Sequence, residues 1–376
     1  LPYFLIHMII EYLFYIFLVA TVIQLLYHVL IFIRIWFYKQ SEPVNYKPVS
    51  VIVSSKNQLN DLRSNLIYFL DQDYPQFEVI VINDASSDGT DDYLEELEKK
   101  YDHLKVVTNT IQENDRFNKG KKFGITLAIK SALHDTLLFS DADSYPFSNQ
   151  WIKKMQSSFS SNNQIVLAYS RLEKRKGLLN RLLRYESLYE GLLSFSFTLS
   201  GFPLLAQRRN LGYDRTLFFS INGFFSHLNL SRGEAKLFVD EASDSRNANV
   251  CLSPEGMILS NKQKSYLEWF SDKRSDFHLA KRLRFSSLMF LRMNFFSQFS
   301  FWILFPILLI YQIDTHLVLM VFTLRFFLQY IVYWKMCKFT NEYDLLWFLP
   351  FYEISLMLIH LILSLSTFIK KVHDWD

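Results

Sequence analysis

The sequence predicts an α/β domain with a mostly parallel, doubly wound sheet, set between an N-terminal transmembrane helix and C-terminal transmembrane helices. Three observations carry this. Short β-branched runs alternate with amphipathic helical stretches between residues 49 and 140. Half of the 376 residues are hydrophobic and 20% are charged, yet the middle of the chain holds whole charged helices, so the apolar residues are concentrated at the ends. Only 10 Gly and 9 Pro are present, which excludes collagen-like, linker-rich and disordered chains. A net charge of +3 gives no electrostatic case for a nucleic-acid partner. Two cysteines, Cys251 and Cys337, make no disulfide framework and show no metal-ligand spacing.

Leu1 to Ile33 contains no Lys, Arg or Asp and one Glu, Glu11. A helix from Leu5 to Ile33 would be about 43 Å long at 1.5 Å per residue, enough to cross a ~30 Å hydrocarbon core. Without a basic leader or a small-residue cleavage site it reads as an anchor, residues 1–35, rather than a signal peptide. A globular domain over 48–277 follows. Within it Val49–Val53, Phe77–Ile82, Leu104–Thr108 and Thr136–Ser140 read as strands. Asn60–Leu70, Thr90–Tyr101 and Gly120–Ala132 read as helices, with Thr90 as an N-cap. Residues 278–295, where Leu279, Leu283 and Leu288 alternate with Lys281, Arg282, Arg284 and Arg292, read as an amphipathic helix on anionic lipid, with guidance of a lipid-phosphate acceptor as the functional alternative. Residues 296–369 form a membrane region of about three helices: Phe296–Ile313, Thr315–Trp334 and Leu345–Ile369. The third has an alternative, in which Leu345–Glu353 lies in the interface. Arg325 and Glu353 sit inside these spans and are candidates for a functional or mutually paired role; snorkelling of Arg325 is the other reading. Arg34, Lys39 and Lys47 after the first span, and Lys281, Arg282, Arg284 and Arg292 before the second, place the domain in the cytosol. Lys370 and Lys371 conflict with that orientation if the last segment crosses completely.

In a parallel sheet ligands bind at the carboxyl ends of the strands. Those ends are acidic here. Asn83-Asp84-Ala85-Ser86-Ser87-Asp88-Gly89-Thr90 follows the second strand and Asp141-Ala142-Asp143 the fourth, while Lys119-Gly120-Lys121-Lys122 opens the third helix. Carboxylates one residue apart can share a hard divalent cation that bridges phosphates. Lysines at a helix start oppose the helix dipole and so call for an anionic partner. Together these residues suit a nucleoside diphosphate with Mg²⁺ or Mn²⁺. No P-loop or dinucleotide fingerprint is present. The bland readings are that Asp84 and Asp88 cap the following helix, that Asp141 and Asp143 form a solvated turn before Pro146, and that His227 and His278 are isolated rather than metal ligands.

The order of these four motifs, from Val49-Ser-Val-Ile-Val53 to Asp141-Ala142-Asp143, resembles family 2 glycosyltransferases of the GT-A fold (Rossmann-like, with a mostly parallel sheet), in particular membrane-bound members with one N-terminal anchor and several C-terminal helices. The resemblance covers roughly residues 48 to 280. It implies an inverting transferase that moves a sugar from a nucleotide-sugar donor to a lipid-linked or cell-envelope glycan acceptor, at a bacterial inner membrane with the catalytic domain cytosolic. Asp84 then contacts the nucleotide base. Asp141 and Asp143 form the DxD pair, Asp143 binding metal on the diphosphate. Lys119, Lys121 and Lys122 line the nucleotide, and Ser55 and Asn57 flank it at the first strand end, where Gln58 stands in place of the family's Glu.

The acceptor half departs further from the family. Gly233-Glu234-Ala235 replaces the usual Glu-Asp, leaving Glu234 as the candidate catalytic base, with an ordinary surface residue as the alternative. Ala206-Gln207-Arg208-Arg209-Asn210 stands where relatives have a Gly-rich turn. After Trp269, Lys273 and Arg274 match a basic motif whose Gln is here Asp272. They are expected to cover the diphosphate from the acceptor side. These departures weigh against a processive synthase and leave a non-catalytic partner of a glycan-synthesis complex as the second reading.

Overall fold

The computed structural model describes residues 2–40, 42, 45–109, 120–230 and 232–369. Lys119, Lys370 and Lys371 lie outside the described residues. Helix α1 (Pro2–Leu26) runs through a π-helical turn at Tyr27–Phe32 into the short α2 (Arg34–Phe37). The domain then alternates as its hydrophobic pattern requires: β1 (Val49–Ser55), α3 (Leu59–Leu70), β2 (Phe77–Asp84), α4 (Thr90–Glu98), β3 (Leu104–Asn109), α5 (Gly120–Ser131) and β4 (Thr136–Asp141). All four strands pair in parallel, in the spatial order β3-β2-β1-β4. Gly89, at φ +86°, takes the cap position of α4, so Thr90 is its first residue rather than its cap.

The second half of the domain was not legible as a pattern. It contains β5 (Ser144–Pro146), α6 (Trp151–Gln156), β6 (Ile165–Ala168), β7 (Ser170–Leu172), the long α7 (Leu178–Leu199), β8 (Leu211–Asp214), α8 (Arg215–Ser220), α9 (Lys236–Ala242), β9 (Ala248–Cys251), β10 (Ile258–Ser260) and α10 (Tyr266–Ala280). The main sheet has seven strands, β3-β2-β1-β4-β8-β6-β9, and β8 is antiparallel to both of its neighbours. A second sheet, β5-β10-β7, follows directly on the Asp141–Asp143 turn.

Two cores sandwich the main sheet. Val49, Val51 and Val53 of β1 point to Leu62, Leu66 and Phe69 of α3 on one face. Ile52, Ile80 and Phe139 point to the other, with Ile125, Ala128 and Ile129 of α5. The second core is continuous with the apolar helices: α7 carries Leu188 and Leu192 into it beside Tyr27, Ile35, Val332, Tyr333 and Met336. Tyr185 of α7 stacks on Tyr333 and Tyr352. The domain and the flanking helices therefore form one packed body.

Among the described residues, four segments are long and apolar enough to cross a membrane: Met8–Phe37, Phe285–Ile310, Thr315–Thr340 and Tyr343–Ser366. The amphipathic stretch expected over 278–295 is instead broken. Helix α10 ends at Ala280 and α11 (Phe285–Ile310) starts after a turn. The break has a local cause. Asp240 of α9 accepts from the Arg284 backbone N–H at 2.7 Å and from the Ser287 hydroxyl at 2.5 Å, capping α11 from outside. Helix α12 (Thr315–Thr340) returns to the domain. A 3₁₀ turn over Tyr343–Phe348 then leads into α13 (Leu349–Ile369), with Pro350 in its first turn, where the missing N–H costs no bond. α13 meets α12 at Arg325 and Gln329, α11 at Phe295 and Gln298, and α7 at Tyr185.

Arg325 and Glu353 do pair. The buried guanidinium donates to both carboxylate oxygens and to Gln329 Oε1 (2.6 Å), while Gln329 and Gln298 donate to the same carboxylate. Gln24 of α1 accepts from Arg325 at 3.3 Å and donates to Ser297 at 2.6 Å, so the knot ties all four apolar helices together. Removing one charge strands the other. Arg325→Met is expected to cost about 3–5 kcal/mol and to lower the unfolding temperature of detergent-purified protein sharply. The double variant Arg325→Met/Glu353→Met should recover most of that loss in the same thermal scan.

Candidate active site

The carboxyl ends of β1–β4 form one polar row, because parallel register brings their last residues level: Ser55 pairs with Asn83, Asp84 with Asn109, and Ser54 with Asp141. Asp84 accepts from Asn109 Nδ2 at 2.7 Å. Ser55 Oγ is buried with no hydrogen-bond partner among the described residues. The loops after β1 and β2 are clasped together. Asn57 Oδ1 accepts from Ser87 N at 2.8 Å, Ser86 Oγ accepts from Asn57 N at 2.9 Å, and Asp88 Oδ2 accepts from Leu59 N at 2.9 Å. Asp88 also accepts from the Thr90 hydroxyl at 2.6 Å, so it is the helix-capping acid. The clasp holds Asn57 (φ +51°) and Ala85 (φ +49°) left-handed, a conformation that costs a residue with a β-carbon about 1–2 kcal/mol. The Asn57 side chain is thus engaged in shaping the cleft edge.

The two described helix-start lysines, Lys121 and Lys122, diverge. Lys121 reaches Asp141 Oδ1 at 2.7 Å. Lys122 is buried, and its ammonium donates to the carbonyls of His227 (2.7 Å), Leu230 (2.6 Å) and Arg232 (3.1 Å). Its charge is directed at the 227–232 loop rather than at the strand ends, because those three carbonyls converge on it.

Asp141 and Asp143 are both buried and both held by arginines that sequence reasoning had not picked out as site residues. Arg208 donates to Asp141 Oδ2 at 2.9 and 2.7 Å. Arg209 forms a two-point fork on Asp143, 3.0 Å at each oxygen. The pairing of β4 with β8 runs Thr136 to Asp214 and Phe139 to Leu211; continued past its end, it lays the Arg208–Asn210 turn across the DxD turn. Burial alone would raise both acid pKa values, but Arg208, Lys121 and Arg209 hold Asp141 far below the usual carboxylate range, and Arg209 holds Asp143 below it. Glu234 follows Gly233, whose φ of +92° aims the chain into α9. It is buried, accepts from Arg208 Nη1 at 3.0 Å and lies 3.9 Å from Lys121. Burial pushes its pKa up, but Arg208 and Lys121 outweigh that and keep it ionised.

Arg208, Arg209 and Glu234 line a cavity of about 350 Å³, whose described lining holds seven basic and five acidic side chains. Asp141, Asp143 and Lys121 are not among its lining residues, and the two aspartates reach it through the two arginines. Lys273 is part of that wall, yet it is already saturated. It sits 2.7 Å from Glu186, 2.9 Å from Glu190 and 3.5 Å from Asp276. Arg274, next on the same helix, is not among the lining residues. Among the described residues no three His, Cys, Asp or Glu side chains converge as a closed metal site. The two DxD carboxylates still suit Mg²⁺ or Mn²⁺, which are commonly held by one or two carboxylates with the rest of the shell from phosphate and water. The groups that now satisfy them are charged side chains that a diphosphate can draw away.

A mostly parallel α/β sheet with an acid pair at the end of its fourth strand, joined through Arg208 and Arg209 to a cation-rich cavity, defines a GT-A-type transferase domain. Residues 50–225 match the family model for glycosyl transferase family 2, and the chain carries a domain of that family. It is 30% identical over 164 residues to the putative teichuronic acid biosynthesis glycosyltransferase TuaG of Bacillus subtilis (strain 168), covering 43% of this chain and 50% of that protein. It is 33% identical over 100 residues to the probable glycosyltransferase YdaM of the same organism, covering 26% of this chain and 23% of that protein. The chain thus spans a quarter to a half of the length of these curated relatives. In three dimensions it is similar to the mannosyltransferase PcManGT from Pyrobaculum calidifontis, solved in complex with GDP-Man and Mn²⁺. The TM-score is 0.57 at 15% identity, over 88% of this chain and 99% of that one. This is a likeness of fold, and it extends beyond the sheet into the flanking helices.

The Lys273 cluster makes a pH-dependent prediction. Burial raises the Asp276 carboxyl, but Lys236 and Lys273 bring it down to about 2. A depressed carboxylate contributes stability that is present above its unfolded pKa and lost as pH falls toward the folded one. Lys273→Met leaves Glu186, Glu190 and Asp276 facing one another with less positive charge. It is expected to cost about 3 kcal/mol at pH 7. The gap to wild type should narrow below pH 4, as read by thermal unfolding at both pH values. A lysine serving only to meet a ligand would show no such loss.

Proposed function

We propose that the protein is a membrane-anchored, metal-dependent, inverting glycosyltransferase that moves a sugar from a nucleotide-diphosphate donor to a lipid-linked or cell-envelope glycan acceptor, on the cytosolic side of a bacterial inner membrane. The observation that carries this reading is the Asp141–Asp143 pair at the β4 end, already ionised and bracketed by Lys121, Arg208 and Arg209. Asp84, with Ser55 beside it, meets the nucleoside. Asn57 keeps that edge in shape. Asp143, with Asp141, would hold a Mg²⁺ or Mn²⁺ ion, which supplies positive charge to the leaving diphosphate. The TuaG and PcManGT names, and the GDP-Man and Mn²⁺ in the latter's complex, agree with a nucleotide-sugar donor and a divalent ion.

The acceptor hydroxyl attacks the anomeric carbon as the bond to the diphosphate breaks, and its proton passes to Glu234. Arg208 links the two events. It bridges Glu234 and Asp141 before substrate arrives. When the diphosphate claims that guanidinium, Glu234 loses the nearer of its two cations, Lys121 staying at 3.9 Å, and becomes a stronger base. The four apolar helices and the basic residues Arg34, Lys39, Lys281 and Arg292 support anchoring with the domain on the cytosolic side.

The test is binding of a nucleotide-sugar panel to detergent-purified protein, with and without Mn²⁺. One donor is expected to bind in a metal-dependent way, and Asp143→Ala to weaken it at least tenfold. Glu234→Gln should keep donor binding and lower the transfer rate by about 10²-fold or more. If wild-type protein binds none of the donors, the reading fails and a non-catalytic partner of a glycan-synthesis complex takes its place.

A further inference from the structure

A second cavity, of about 490 Å³, lies between α7, α10, α11 and α13. Its wall is largely apolar, with Leu193, Leu288, Phe295, Leu356, Met357 and Leu363 among its residues. It shares five lining residues with the first cavity, namely Glu186, Glu190, Lys236, Lys273 and Asp276, so that charged cluster walls both spaces. Asn294, Gln298 and Glu353 also line it, but they are engaged with Tyr189, with each other and with Arg325, and do not call for a polar occupant. Lys281 and Arg292, both exposed, stand among its residues on the domain side.

We propose that this cavity seats the hydrocarbon chain of a lipid-linked acceptor whose anionic head group is met by Lys281 and Arg292 and whose sugar end passes the Lys236/Lys273 cluster to reach Glu234. The inference rests on the glycosyltransferase reading and gives its acceptor a class. The cavity is formed partly by α11 and α13, two helices apolar enough to lie in a bilayer. A chain entering it from lipid exchanges one apolar contact for another, so burial gives no net selection. Selectivity then rests with the head group and the two basic residues. The wall it shares with the cavity of Glu234, rather than apolarity alone, distinguishes an acceptor seat from a groove filled by bulk lipid.

The experiment uses the full chain in nanodiscs, with two photoreactive probes: farnesyl phosphate carrying a diazirine at its tail end, and phosphatidylcholine carrying one in an acyl chain. Farnesyl phosphate is expected to label residues within 285–298 and 349–364, and an excess of unlabelled farnesyl phosphate to displace it. Met357→Trp, which fills the space, and Arg292→Glu, a surface change that leaves the fold intact, should each lower that labelling at least fivefold without altering nucleotide-sugar binding in the same preparation. Equal labelling by phosphatidylcholine that farnesyl phosphate does not displace would overturn the proposal, as would absence of labelling in these segments. If labelling succeeds while no nucleotide sugar binds, the cavity remains a lipid seat and the transferase reading alone fails.

Discussion

An antiparallel strand, β8, is inserted between β4 and β6, and the catalytic half of the cleft hangs on that insertion. Running against its neighbours, β8 delivers the turn before it to the carboxyl end of β4, where every parallel strand delivers the turn after it. Asn210 fixes the position. It is fully buried, accepts from Trp151 Nε1 at 3.1 Å, and donates to the carbonyls of Tyr169 (2.8 Å) and Gly256 (2.9 Å). With that side chain satisfied on three sides, Arg208 and Arg209 are carried across Asp141 and Asp143. Two carboxylates one residue apart in a buried turn repel each other and lose hydration. The arginine forks offset both costs, so the acid pair is assembled and charged before any ligand arrives.

How much of this was legible in the sequence follows from how local each cause is. β1 to β4 and the helices between them follow from apolar runs and amphipathic spacing within a few residues, and they form where the pattern places them. The strand-end positions of Asp84, Asp141 and Asp143 were legible for the same reason: a parallel strand pattern specifies its own carboxyl end. From Ser144 to Ser260 the strands are three or four residues long, too short to show a period, and their pairings join residues 44 to 116 positions apart, as in Leu167–Leu211 and Ser260–Ser144. The Arg208-Arg209 doublet stood in plain view as a departure from the family pattern. Nothing in its own neighbourhood said that it faces the DxD turn, because that depends on the direction of β8.

The lysines make the same point on a smaller scale. Lys121 and Lys122 are adjacent and chemically identical, and a helical step of 100° sends them to different surroundings. Lys121 meets a carboxylate 20 positions away, whereas Lys122 meets three carbonyls more than 100 positions away. A basic run at a helix start correctly implies negative partners, but it does not say whether they belong to a ligand or to the chain. Lys273 had the same ambiguity, resolved by Glu186 and Glu190 on a helix that sequence periodicity had not singled out.

That helix, α7, joins the chemistry to the membrane region. Glu186 and Glu190 lie one turn apart and face the Lys236/Lys273 cluster. Tyr185 and Tyr189, also one turn apart, face Tyr333, Tyr352 and Asn294 of the apolar helices. The two pairs are offset by a single residue, so they occupy adjacent stripes of one rigid rod. A displacement of α12 or α13 therefore moves the Lys236/Lys273 cluster with it, as a domain on a flexible linker would not. In a transferase whose acceptor is a lipid, this rigidity has a use. There the apolar helices would set the depth of the acceptor in the bilayer, the β1–β4 strand ends the position of the donor, and α7 the distance between them.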